Sequence, residues 1–243
     1  MLELVTDSVN NIVRAAFDIE TVSPDVPEDK YPDFTDSHDF ELSGAGIAYE
    51  YEDGSRETVV EWRNGWGPRA ELDLIQTLLD RLEPAGTVIT YNGERFDLTH
   101  LEGRARIAGE VVGERAHESV QTYLDRTEHI DLQPEAWDAY GEYTSLEETL
   151  EQVGIEPIET LPSEFDCRIP RDEWTKNPSE PVTSKDLAIL GEIYLEAVDG
   201  NRNDVSTTAL EEMLTHYAQA DVELLFELAD ARPFKQNSSV ARN

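Results

Sequence analysis

The chain has 243 residues, 39% of them hydrophobic, with 53 acidic against 19 basic side chains and a net charge of −34. Cys167 is the single cysteine, which excludes an internal disulfide and a cysteine-based metal site. The sequence has no long apolar run and no basic N-terminus, which argues against a membrane span and a signal peptide, so we expect a cytoplasmic protein. A chain with this negative charge repels nucleic acid at ordinary ionic strength. Either its partner is another kind of molecule, or the protein works in concentrated salt, where the Debye length is about 3 Å at 1 M and the repulsion is screened. The acid-rich, lysine-poor composition is typical of halophilic proteins and suggests the second alternative.

The first predicted element, after a lead-in of residues 1–11, is a β-strand over residues 12–20. Alternation along this strand directs Val13, Ala15, Phe17 and Ile19 to one face, and Ala16, Asp18 and Glu20 to the other. Two carboxylates about 7 Å apart on one face repel each other unless a cation lies between them. The pair therefore indicates a divalent metal site for Mg²⁺ or Mn²⁺, or else an exposed strand end in a very acidic protein.

The pattern in the middle of the chain predicts four strands and two helices. Residues 22–40, rich in Pro and Asp, predict a long irregular loop. Strands over 42–52 and 56–62 are joined by a hairpin turn at 52–55, and an amphipathic helix covers 69–83. A fourth strand over 87–91 leads through a turn at 92–95 into a helix that begins near Phe96, and a fifth strand covers 128–132.

The last third of the chain predicts mostly helices. Ser145 and Glu148 form a capping box for a helix that runs to Val153. Residues 156–182 contain five prolines and predict a long loop, and two helices follow over 184–198 and 207–230. This order of elements predicts an α/β fold with a mixed five-stranded sheet flanked by helices, in one domain over residues 1–231 with a flexible tail over 232–243.

Two further carboxylates occupy informative positions. Asp97 follows the turn after the fourth strand, where it either caps the next helix or, at the carboxyl edge of the sheet, joins a ligand site. Asn92 in the same turn is placed to orient a carboxylate or a metal-bound water. Asp221 interrupts the apolar stripe of the last helix, with Tyr217 one turn earlier on the same face. A buried carboxylate must be protonated, paired or bound to metal.

Three motifs together resemble the DnaQ-like 3′→5′ exonucleases of the RNase H-like superfamily that carry four acidic residues and a tyrosine. They are the strand motif 17–21, the turn motif 90–97 and the helix motif 217–221, and the segment 129–132 supports them. The resemblance spans about residues 12–230 and is greatest to the exonuclease domain of family B DNA polymerases and its stand-alone relatives. The chain has no room for polymerase segments, and residues 156–182 depart from these relatives.

The resemblance implies a two-metal mechanism with Mg²⁺ or Mn²⁺ and a nucleic-acid substrate with a free 3′ end. By resemblance, Asp18 bridges the two ions, Glu20 and Asp221 complete one site, and Asp97 holds the second ion through water. Tyr217 would orient or help to deprotonate the attacking water, and the product would be a nucleoside 5′-monophosphate. DNA is expected over RNA, with DNA-repair or replication proteins as possible partners.

His216 is an alternative base, because it precedes Asp221 by five residues, the spacing of the histidine subclass. At about 100° per residue, Tyr217 lies within about 40° of Asp221 on the helix, whereas His216 lies about 140° away. Helical geometry thus favours Tyr217. A histidine pKa near 6.5 keeps His216 as the alternative.

Candidate substrate contacts are Thr21, Asn92, Arg95 and Phe96, all within the motifs. Arg95, Arg104, Arg106 and Arg115 either meet backbone phosphates or form salt bridges with the abundant carboxylates, and salt bridges are favoured for most of them. The four tryptophans either stack bases or pack in the core. Two other functions remain open: a structure-specific endonuclease of the same fold, and an inactive module that binds nucleic acid or a protein partner.

Overall fold

A computed structural model describes residues 11–27, 29–141 and 143–235 of the chain. Its strands are β1 (Ile12–Val22), β2 (Glu41–Tyr51), β3 (Arg56–Trp62), β4 (Thr87–Thr90) and β5 (Glu128–Asp131). Its helices are α1 (Pro68–Leu82), α2 (Asp97–Val112), α3 (Ala116–Arg126), α4 (Gln133–Tyr140), α5 (Leu146–Val153), α6 (Ser184–Val198), α7 (Thr207–Glu223) and α8 (Leu225–Asp230).

The five strands form one mixed sheet in the order β3-β2-β1-β4-β5. The first three strands are an antiparallel meander, and β4 and β5 continue the sheet in parallel with β1. The polar groups of β1 are thereby paired on both edges, which places this strand at the centre of the sheet. In the β1–β2 register Asp18 lies opposite Gly46, and Glu20 lies opposite Gly44.

Helices cover both faces of the sheet. Ala15, Phe17 and Ile19 of β1 pack with α1, α2 and α3 on one face. On the other face, α7 lies across β1 and β2, and α8 packs with Ala16 and β4. A third apolar cluster joins α6 and α7 to the segment 165–182 around Val22. The end of β1 that carries Asp18 and Glu20 is therefore enclosed by helices that are distant in sequence.

The predicted fold class is confirmed, and so are all five strands, within two residues at each end. The capping box of Ser145 and Glu148 is present at the start of α5. The prediction of one helix over 207–230 is wrong, because the helix stops at Leu224 and restarts as α8. Helix α4 was not predicted, and the helix predicted from Phe96 is two helices, because Gly113 ends α2 with a left-handed backbone (φ 84°).

The predicted loops 22–40 and 156–182 contain only short 3₁₀ turns, at Ser37–Asp39 and Pro162–Glu164, within the described residues. The lead-in at 1–10 and the tail at 236–243 lie outside the described residues. At the start of the tail, Phe234 is buried against Tyr140, and Arg232 pairs with Glu135. None of the described helices is long and apolar enough to cross a membrane.

Candidate active site

Strand β1 delivers two carboxylates to one face of the sheet. Its odd-numbered apolar residues enter the core under α1 and α2, so Asp18 and Glu20 point to the opposite face, as alternation predicts. There they meet Asp221 of α7. One carboxylate oxygen from each of the three residues lies within 4.8 Å of the other two. This triad is a group of oxygen ligands of the kind that hard divalent cations prefer.

Helix α7 reaches the triad because it packs directly on the backbone of β2. A Cβ atom at Gly46 would lie 2.5 Å from the carbonyl oxygen of Ala218, so a side chain there cannot be accommodated without displacement of the helix. Gly46 is the partner of Asp18 in the sheet. The close approach therefore brings Tyr217 and Asp221, which flank Ala218 in the sequence, over the strand that carries Asp18.

Asp97, the fourth predicted carboxylate, starts α2 and is 2% exposed. Its Oδ1 accepts a hydrogen bond from the amide of Ile19 at 3.0 Å, between the two carboxylates of β1. Its carboxyl group also lies beside that of Asp18, and besides burial their mutual repulsion contributes to the raised pKa of Asp18. Asp97 is thus both a connection between α2 and β1 and a direct neighbour of the triad.

The electrostatics of the four carboxyl groups favour their neutral forms. Burial, and then repulsion from the neighbouring carboxylates, raises the pKa values of Asp18 and Glu20 well above their usual range. Burial raises the pKa of Asp97 to about 6, although the hydrogen bond from Ile19 opposes the rise. Burial and the nearby Glu147 carboxylate raise the pKa of Asp221 to about 7.

A cation fits this arrangement. Glu20 is 7% exposed, and its buried Oε1 has no hydrogen-bond partner among the described residues. An unpartnered buried carboxylate oxygen is costly unless the group is protonated or bound to a cation. No arginine or lysine forms an ion pair with any of the four carboxylates in the described part of the chain. The acidic triad could therefore hold a divalent metal ion.

Tyr217 and His216 lie in different environments. Tyr217 is 8% exposed, and its hydroxyl donates a hydrogen bond to Asp221. Burial, and then the surrounding carboxylates, raise the pKa of Tyr217, so the hydroxyl keeps its proton. His216 bonds through Nδ1 to Thr160 Oγ1 at 2.7 Å and packs edge-on against Phe165. Both of these partners belong to the segment 156–182, so the His216 ring links that segment to α7.

The turn after β4 depends on Asp131 at the end of β5. The Asp131 carboxylate accepts hydrogen bonds from the amides of Asn92 (2.8 Å), Glu94 (3.1 Å) and Gln133 (3.1 Å). Asn92 itself has a left-handed backbone (φ 74°), which asparagine tolerates better than most residues. Asp131 therefore has a structural role, because it fixes the turn from which Asp97 projects.

A cavity of about 300 Å³ adjoins the site at Asp221. Tyr217 and Asp221 line it on one side, and α5 and the segment 157–160 on the other. Glu147, in the first turn of α5, also lines it and was missed in the sequence, because acidic residues are common at helix N-termini for local reasons alone. Its proximity to Asp221 could not be predicted from a separation of 74 residues.

The predicted substrate contacts differ in their surroundings. Thr21 is half-buried near the end of β1. The Phe96 ring packs against Phe40 (5.3 Å between centroids) and His100 (4.5 Å), which joins α2 to the loop 22–40.

Salt bridging, the favoured alternative for the arginines, is found at two of the four predicted positions. Arg104 pairs with Glu71 in the core, and Arg115 pairs with Glu118 at the surface. Arg95 instead lies over the ring of Trp137.

Comparison with known proteins identifies the family. A model of the RNase H superfamily matches residues 44–180, more than half of the chain, so the protein belongs to this superfamily. The matched region contains Asp97 and Asp131, whereas Asp18, Glu20, Tyr217 and Asp221 lie outside it. No curated protein matches the chain. Membership supports a nuclease-type function, a nucleic-acid substrate and the use of divalent metal ions.

Proposed function

We propose that this RNase H superfamily protein is a metal-dependent 3′→5′ exonuclease of the DnaQ-like type with four acidic residues and a tyrosine. The observation that carries the proposal is the convergence of Asp18, Glu20 and Asp221 within 4.8 Å, with Asp97 held beside them by the amide of Ile19. Its substrate is single-stranded nucleic acid, DNA more than RNA, and its product is a nucleoside 5′-monophosphate. We place it in the cytoplasm of a salt-rich cell, where the charge of −34 is screened.

The carboxylates of Asp18, Glu20, Asp97 and Asp221 would together hold two Mg²⁺ or Mn²⁺ ions, with Asp18 the ligand that lies among the other three. When bound, such ions stabilise the charge of the phosphodiester group and lower the pKa of the attacking water. The carboxylates themselves favour ion entry, because a cation relieves the repulsion and desolvation that raise their pKa values.

The hydroxyl of Tyr217 acts as a hydrogen-bond donor in this proposal. Burial and the surrounding carboxylates raise the pKa of Tyr217, so in the metal-free site the hydroxyl keeps its proton and can orient groups as a donor. The His216 ring is engaged with Thr160, which favours Tyr217 over His216 as the residue that acts beside Asp221.

The cavity beside Tyr217 supports cleavage at an end over internal cleavage. Its volume of about 300 Å³ is at the lower limit of typical ligand pockets, which suits a single nucleoside unit. Apolar side chains from three segments line it: Leu146, Leu150, Ile158, Val182 and Leu224. A terminal nucleotide can enter such a cavity, whereas a continuous strand would have to pass through it.

The test is degradation of a 5′-labelled single-stranded oligonucleotide in molar KCl with Mn²⁺, with Mg²⁺ or with EDTA. We expect a ladder that shortens from the 3′ end, requires metal, disappears in Asp18→Ala and is strongly reduced in Tyr217→Phe. Matched controls are Asp125→Ala, an exposed carboxylate on α3, and Tyr51→Phe, which loses only a surface hydrogen bond to Glu57. A blocked 3′ end should prevent the reaction.

Internal cuts that persist with the blocked end would indicate an endonuclease instead. A ladder that survives Tyr217→Phe and disappears in His216→Ala would transfer the tyrosine's role to His216. Absence of cleavage of both DNA and RNA, with retained binding, would refute the enzyme and leave a binding module.

A further inference from the structure

Arg95, Trp137 and Tyr143 form a contiguous cluster at the surface. The guanidinium carbon of Arg95 lies 5.0 Å from the centroid of the Trp137 ring, within cation–π range. The Trp137 and Tyr143 rings are 6.2 Å apart between centroids, with 44° between their planes. We refer to these three residues as the stacking platform.

Arg95 is one of three described arginines, with Arg106 and Arg171, whose charge is not neutralised by an ion pair with a carboxylate. The Arg95 side chain is exposed and forms no ion pair within the described residues, although acidic side chains outnumber basic ones by 53 to 19. By comparison, the nearby Arg104 and Arg115 are both paired. The guanidinium donors of Arg95 are therefore free to contact an anionic ligand, such as a phosphate group.

Tyr143 is held in a conformation that a bulky residue rarely adopts. Its side chain is 85% exposed, and its backbone is left-handed with φ 71°. The next residue is fixed, because the carbonyl oxygen of Thr144 accepts hydrogen bonds from Trp137 Nε1 (3.3 Å) and the Tyr91 hydroxyl (2.7 Å). Neither hydrophobic burial nor backbone preference accounts for an aromatic ring here, whereas a ligand that stacks on it would.

The platform is connected to the candidate active site through the chain. Arg95 precedes Asp97 by two residues, and both project from the turn that Asp131 fixes. Tyr143 precedes Glu147, which lines the cavity beside Asp221, by four residues. The two segments that carry the platform therefore also carry groups of the site.

We propose that the stacking platform binds unpaired bases of single-stranded nucleic acid, with Arg95 on the adjoining phosphate. The inference rests on the proposed function for the nature of the substrate. It adds a second binding site, which contacts the strand at some distance from the reacting 3′ end. Aromatic faces stack on every base, so the site selects single strands over duplexes without selecting a sequence.

The test is binding of a 5′-fluorescein oligothymidylate of about 15 nucleotides, measured by anisotropy in EDTA, where no cleavage occurs. A second probe has the same phosphates and abasic sugars. We expect Tyr143→Ala to weaken binding of the thymidylate about tenfold and to leave the affinity for the abasic strand unchanged. Tyr31→Ala, which removes another highly exposed tyrosine (90%), is the control and should change neither.

Arg95→Gln should weaken binding of both probes. Measured from about 0.5 to about 2 M KCl, it should also reduce the slope of log Kd against log salt by about 0.7, the value for one phosphate contact on a single strand. Arg69→Gln, at an exposed arginine that pairs with Glu114, should leave the slope unchanged. An unchanged slope in Arg95→Gln would show that the guanidinium only packs on Trp137, and would overturn its assignment to a phosphate.

The outcomes separate this inference from the proposed function. Normal 3′→5′ cleavage, with wild-type affinity in Tyr143→Ala, would overturn the platform and leave the exonuclease intact. Binding that depends on Tyr143 and on the bases, in a protein that cleaves nothing, would support the platform and refute the exonuclease. Equal loss of affinity for the thymidylate and abasic probes in Tyr143→Ala would overturn base stacking.

Discussion

Replacement of Asp221 by asparagine should stabilise the metal-free protein at alkaline pH. In the fold the pKa of Asp221 is raised from an ordinary 3.8 to about 7, by burial and by the nearby Glu147 carboxylate. A group whose pKa is raised by folding stabilises the fold below its unfolded pKa, and this contribution is lost as the pH rises through the folded value. Asp221 therefore destabilises the metal-free protein progressively between about pH 4 and pH 7.

The size of the effect follows from that difference. About three pKa units, at about 1.4 kcal/mol each, correspond to about 4 kcal/mol in the free energy of unfolding above pH 7. Asp221 retains some contact with solvent, so we expect about half of this, or about 2 kcal/mol, from Asp221→Asn. For a domain of this size, that is a rise of about 4–8 °C in Tm. Asparagine can still accept the hydrogen bond from Tyr217.

The assay is thermal unfolding in EDTA at about pH 5 and about pH 8, repeated with saturating Mn²⁺. The Asp221→Asn protein should melt higher than wild type in EDTA at pH 8, and the advantage should shrink at pH 5. Mn²⁺ should raise the Tm of wild type and have a smaller effect on the variant. Asp125→Asn is the control. An Asp221→Asn protein that is less stable than wild type in EDTA at pH 8 would refute the reasoning.

Three further predictions concern packing around the site. Gly46→Val should abolish metal-dependent cleavage and lower stability by about 1–3 kcal/mol, because its side chain would collide with the backbone of Ala218; wild-type activity would contradict the close approach of α7. Glu71→Ala should lower the free energy of unfolding, measured by urea titration, by about 3–5 kcal/mol, since it leaves the buried Arg104 charge without its carboxylate; a loss below about 1 kcal/mol would refute this. His216→Ala should retain the pH profile of cleavage while it increases proteolysis within 156–182; a shifted profile would instead indicate a catalytic base.

The sequence was sufficient for features that depend on local periodicity. Alternation along β1 predicts that Asp18 and Glu20 share a face, and the structure has them there. The 3.6-residue period of α7 shows that Asp221 is a carboxylate at a position where an apolar residue is expected. The same period identifies Tyr217 as its neighbour on the helix. In each case the informative signal was a polar residue at a position that the pattern assigns to the core.

Features that depend on contacts between distant segments were not predictable in this way. The break at Leu224 has no glycine or proline to mark it; it accompanies the transition from α7 on β1 and β2 to α8 beside β4. The bond between His216 and Thr160 joins residues 56 apart, and Glu147 meets Asp221 only because α5 packs near α7. The end of α2 is different, because Gly113 is a common helix-stop residue and was available as a signal.

The placement of Asp221 in α7 makes assembly of the acidic triad a late event in the synthesis of the chain. Asp18 and Glu20 are synthesised early and Asp97 follows, but the third member of the triad comes about 200 residues after the first. A nascent or truncated chain that stops before α7 lacks this ligand and also the helix that covers Asp18. Any chemistry that needs the complete triad therefore requires that the last helices have docked on the sheet.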